Sequence, residues 1–75
     1  MTKLVPISAK KLIKILGKLG FTMIRQNGSH CFFRNDNNGL TTVVPIHSNE
    51  DVSVGLLKKI LNDIDLKSEN FDKLR

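Results

Sequence analysis

Leu12, Ile15, Leu16 and Leu19 recur at i, i+3, i+4 and i+7, the spacing that places side chains on one face of a helix. Ser8 precedes this run, where its hydroxyl can accept from the free amides of a first turn, and Gly20 follows its last leucine. The spacing predicts a helix over 9–19. Phe21-Thr22-Met23-Ile24-Arg25-Gln26 and Ser29-His30-Cys31-Phe32-Phe33-Arg34 are β-prone runs separated by Asn27-Gly28, a strong two-residue hairpin signal. The turn-rich Asn35-Asp36-Asn37-Asn38-Gly39 leads into Leu40-Thr41-Thr42-Val43-Val44, a β-branched strand ending at Pro45. The centre of the chain therefore reads as a three-stranded antiparallel meander. Residues 46–53 read as a polar connection. Leu57, Ile60, Leu61 and Ile64 repeat the helical spacing with Ser53 as cap, and a short tail helix can dock Phe71 and Leu74.

The expected fold class is α+β: α-β-β-β-α with a short C-terminal helix, two helices covering one face of the sheet. At 75 residues the chain has room for one core and is read as one domain, 1–75. A lone Cys31 excludes an internal disulfide framework and fits a reducing cytoplasm. No apolar stretch approaches a membrane span or a signal peptide, so membrane partners are not expected.

Charge adds a partner class. Residues 1–35 carry seven basic side chains and no acid, whereas the acids cluster in the second half, and the isoelectric point is about 9.7. Such a basic half suits a polyanion. Lys11, Lys14 and Lys18 fall at i, i+3, i+7 on a second face of the first helix and are expected to hold an RNA backbone. A merely solubilising lysine face fits the same spacing.

If Asn27-Gly28 is the two-residue turn, Arg25 sits opposite His30 and Ile24 opposite Cys31. Alternation then places His30, Phe32 and Arg34 on one sheet face with Arg25, and Cys31 and Phe33 on the other. An imidazole beside guanidinium groups suits phosphodiester cleavage: it can take a proton from a 2′-hydroxyl while arginines hold charge gathering on phosphate. His47, just past the third strand, is a second candidate acid or base. The pattern alone leaves both histidines open as surface or loop residues without a role. Cys31, His30 and His47 lack paired metal-ligand spacing, so no metal is expected. No Gly-rich phosphate loop, serine nucleophile elbow or paired carboxylates occur. Without Trp or Tyr, base stacking rests on Phe32 alone.

Leu19-Gly20-Phe21, Arg25-Gln26-Asn27-Gly28-Ser29-His30, Val44-Pro45-Ile46-His47 and Gly55-Leu56-Leu57-Lys58-Lys59-Ile60-Leu61 together resemble the HicA family of toxins from HicAB toxin–antitoxin pairs. The resemblance implies a double-stranded-RNA-binding-domain-like fold and ribonuclease activity on mRNA. It implies that the histidine of Gly28-Ser29-His30 is essential, with Gly28 and Ser29 beside RNA. A HicB-like antitoxin that covers the active site is the implied protein partner, and no cofactor is implied. Two segments depart from the family pattern: Asn35–Gly39 stands where His-Pro-Asp-Gly is common, and Gly55-Leu56-Leu57 where Gly-Ser/Thr-Leu is. The combined expectation is an mRNA-cleaving toxin with His30 catalytic, Arg25, Arg34 and His47 as candidate supports, and Lys11, Lys14, Lys18, Gly28 and Ser29 on RNA. The alternatives are a non-catalytic RNA-binding module of the same fold and an inert interaction domain.

Overall fold

Ser8 is extended, at φ −66° and ψ 145°, and its Oγ accepts a 3.2 Å hydrogen bond from the Lys11 amide. That bond satisfies one of the amides a helix start leaves free, and α1 (Ala9–Lys18) runs from it. The computed structural model describes residues 4–46 and 50–75. Leu12, Ile15 and Leu16 form the buried stripe of α1, as their spacing predicts. Gly20 ends the helix at φ +94°, a conformation glycine enters without a Cβ clash.

Three antiparallel strands follow, β2 (Phe21–Asn27), β3 (His30–Asn35) and β4 (Thr41–Pro45), in the spatial order β2-β3-β4. Burial alternates along the central strand: Cys31, Phe33 and Asn35 are buried, His30 and Arg34 exposed, and Phe32 half-buried. The buried set faces α1 and α2 (Val54–Asp63), which pack on this side of the sheet. Ser53 caps α2 by accepting from the Leu56 amide at 3.3 Å. The short α3 (Ser68–Asp72) packs on α2 and seats Phe71, which is fully buried with Leu12, Leu16, Val44, Leu57 and Ile60. Burying each large apolar side chain contributes about 1.5–3 kcal/mol. The observed architecture is the α+β arrangement expected from the sequence.

Asn35 joins the layers. Its Nδ2 donates to the Leu19 carbonyl at 3.1 Å, and its Oδ1 accepts from the Asn37 amide at 2.9 Å. One buried side chain thus ties the end of α1 to the sheet and opens the turn toward β4. A Cβ on Gly20 would lie 3.4 Å from this amide group, so glycine also permits the close approach.

Two details depart from the sequence expectation. Within 46–53, read as a polar connection, Asp51–Val52 forms a short strand, β5, antiparallel to β1 (Ile7–Ser8). Two-residue strands carry no alternation to detect; what fixes this pair is burial of Ile7 against its partner Val52.

The second departure is the hairpin register. Asn27 pairs with His30, so Gly28 and Ser29 form the turn rather than Asn27 and Gly28. Gly28 alone takes positive φ there, +62°, which a two-residue turn with glycine first requires. The register shifts again between Met23 and Arg25, where Ile24 bulges. Arg25 consequently lies opposite Phe32, and Gln26, not Ile24, lies opposite Cys31.

Candidate active site

The face of the sheet turned away from the helices is built from three cross-strand rows: Asn27, His30 and Pro45; Arg25, Phe32 and Val43; Thr22, Arg34 and Thr41. His30 occupies the first position of the central strand, immediately after the turn. The turn that leads into it is held by two hydrogen bonds. The Ile46 amide donates to the Ser29 carbonyl at 2.6 Å, and Gln26 Nε2 donates to the Gly28 carbonyl at 3.1 Å. The imidazole is exposed and has no hydrogen-bond partner among the described residues. A strand-held backbone with a solvent-facing ring suits a group that must meet a large substrate.

Arg25 is not directly across from His30, contrary to the register expected from the sequence. It shares the face nonetheless, because the offset is two residues on the partner strand. Its Cζ lies 4.4 Å from the centroid of the Phe32 ring, a cation–π contact. The diagonal between Arg25 and His30 is about 7–8 Å, within reach of a long side chain. The stack restrains the guanidinium while leaving N–H groups at its edge for an anion.

Arg34 is on the same face but four residues along β3 from His30, roughly 13 Å at the rise of a strand. Its Nε lies 3.5 Å from Asp36 Oδ1, an exposed pair of small energetic weight. Of the two arginines, then, Arg25 stands near His30 and Arg34 does not. Gly28 and Ser29 adjoin His30 as the turn, and a Cβ at Gly28 would meet nothing within 4 Å, so the turn is open. His47 lies outside the described residues. Lys11, Lys14 and Lys18 belong to the helix layer and line a groove on that side, so they do not share a face with His30.

The Arg25–Phe32 stack was missed from the sequence, although both residues were placed on the correct face. A bulge that sets their pairing leaves no signature in a run such as Thr22-Met23-Ile24. Among the described residues, no group of three His, Cys, Asp or Glu side chains gathers to hold a metal. No described helix is long and apolar enough to cross a membrane.

The family model for the HicA toxin of bacterial toxin–antitoxin systems matches residues 9–66. The chain belongs to the HicA toxin family. It is therefore a toxin component, and membership implies a cognate antitoxin partner. The matched span runs from the first residue of α1 through the sheet and α2, so His30 and the whole open face lie within the HicA region. Ile7, α3 and Arg75 lie outside it. A search of curated proteins finds no match.

Proposed function

We propose that this toxin is an endoribonuclease that cleaves mRNA, with His30 as its essential catalytic residue. The observation that carries the reading is His30 itself: exposed, fixed at the head of the central strand in a HicA family member, with a guanidinium diagonal to it. In this mechanism the imidazole takes the proton of a 2′-hydroxyl. The 2′-oxygen attacks phosphorus, the bond to the 5′-oxygen breaks, and the departing oxygen collects a proton. Arg25 holds negative charge as it develops on the phosphoryl oxygens, the task a preorganised donor performs best. Gly28 and Ser29 border the strand of RNA, since their turn is open beside His30. Arg34 contributes a more distant positive charge on the same face. Inhibition belongs to a HicB-like antitoxin, and the chemistry asks for no cofactor.

Purified chain incubated with an oligoribonucleotide and with its 2′-deoxy counterpart tests the reading. Cleavage of the first only, abolished by His30→Ala, is expected. Undiminished cleavage of the deoxy substrate would make water the nucleophile and withdraw the role given to His30. RNA bound but uncut by the unaltered chain would leave a binding module.

A further inference from the structure

The lysine face of α1 is not a flat solvated surface. Lys11, Lys14 and Lys18 border an open groove of about 220 Å³. Ile7 and Ile15, otherwise buried at 2% and 5% exposure, form its floor together with Leu74. Arg75 closes one end. Its guanidinium donates to the Val5 and Pro6 carbonyls, at 3.0 Å each, and sits 5.8 Å from the Phe71 ring centroid. The tail is thereby pinned against the segment before α1, and the groove wall is formed in advance of any ligand.

Four cations line this groove and no carboxylate side chain does. The salt bridges among the described residues, Arg34–Asp36 and Lys59–Asp63, lie elsewhere. Arg75 is engaged by backbone carbonyls, whereas Lys11, Lys14 and Lys18 have no ion-pair partner among the described residues, and apolar side chains line the groove with them. A sugar–phosphate backbone would satisfy the charge but gain nothing from the floor; an apolar side chain gains about 25 cal/mol for each Å² it buries. The volume is below the roughly 300 Å³ at which small-molecule pockets begin, and it suits a side chain or two. RNA lying against His30 would also be on the other side of the sheet.

We infer that this groove docks an acidic amphipathic segment of the cognate antitoxin. An apolar side chain sits over Ile7, Ile15 and Leu74, and flanking carboxylates pair with Lys11, Lys14, Lys18 and Arg75. Ile7, Leu74 and Arg75 lie outside the span matched to the family, so the seat is built partly from this chain's own flanks. The contact anchors the partner on the helix side and leaves the open sheet face for a separate part of it. The inference rests on membership of a toxin–antitoxin pair, not on nuclease activity, so the His30→Ala chain serves to test it.

The probe is a helical peptide of about twelve residues, with leucines on one face and glutamates flanking them, titrated into isotope-labelled His30→Ala chain and followed by amide chemical shifts. Saturable shifts are expected at Lys11, Ile15, Lys18 and Leu74. Lys14→Glu with Lys18→Glu should weaken the peptide roughly tenfold, equivalent to about 1.4 kcal/mol, and serine in place of the peptide's leucines should weaken it as well. Oligouridylate shifting these amides while the peptide does not would make the groove a phosphate track. No shift with the peptide, or equal affinity for its serine version, would overturn the inference too.

Discussion

Alternate residues of one strand do opposite jobs. Cys31, Phe33 and Asn35 point into the helix layer and are at most 5% exposed, whereas His30, Phe32 and Arg34 line the open face. The inward set is held by packing and by one hydrogen bond, from Asn35 to the Leu19 carbonyl, that crosses from the sheet to the end of α1. Among the described residues, the outward set makes one stacking contact and one exposed ion pair. Core packing and the face proposed for chemistry are thereby separated by the two-residue period of a strand, and substitutions one position apart should report on different properties.

The largest contrast is between His30→Ala and Phe33→Ala. Under the proposed role of His30 as general base, its loss should lower RNA cleavage by about 10²- to 10⁴-fold, while the urea midpoint stays within error of the unaltered chain because the imidazole is exposed. Truncating Phe33, 3% exposed in the core, should cost about 3–5 kcal/mol. In a domain of this size that is enough to populate the unfolded state under native conditions. Circular dichroism and a cleavage assay on both variants check the pair. A His30→Ala chain that melts early would place His30 among the structural residues and dissolve the contrast.

Asn35→Ala comes next. It deprives the Leu19 carbonyl and the Asn37 amide of their partner at a buried position, which should cost about 1–3 kcal/mol. Urea denaturation measures it. Asn35→Asp keeps an acceptor for Asn37 but loses the donor to Leu19. It should destabilise as well, and full recovery by aspartate would show that the helix-to-sheet bond carries no weight.

The helices, their serine caps and the meander were legible because their signals are local: Ser8 and Ser53 cap the residues that follow them, and the leucine spacing is read within one segment. The open face was legible for a subtler reason. The expected and observed pairings of Arg25 differ by two residues on β3, an even number, so Arg25 and the β3 residues keep the expected faces. The bulge at Ile24 reverses the residues before it and sets Met23 and Phe21 opposite the inward Phe33 and Asn35. The pairing itself was hidden because Asn27-Gly28 and Gly28-Ser29 both present glycine to a two-residue turn, and nothing nearby announces a bulge at Ile24. Asn35 looked like turn material beside Asp36-Asn37-Asn38. Its burial depends on the strand running one residue further than its apolar part. The β1–β5 pair and the tail wall of the groove are long-range contacts between very short segments, and only packing creates them.

The smallest effect asks whether the open face works as a surface of general positive charge or through one placed guanidinium. Arg25→Lys keeps the charge but gives up the planar fork and most of the stacking on Phe32. A cation–π contact at an exposed site is worth about 0.5–1 kcal/mol. If the stack holds the guanidinium where the phosphate needs it, cleavage should fall about two- to fivefold. Arg34→Lys makes the same chemical change on the same face, roughly 13 Å from His30 along the strand and beside Asp36. It should leave the rate within error. Single-turnover cleavage by the two variants at one ionic strength separates the cases, with urea midpoints confirming that both remain folded. Equal losses would mean that distance from His30 does not matter, and the face would then act by net charge alone.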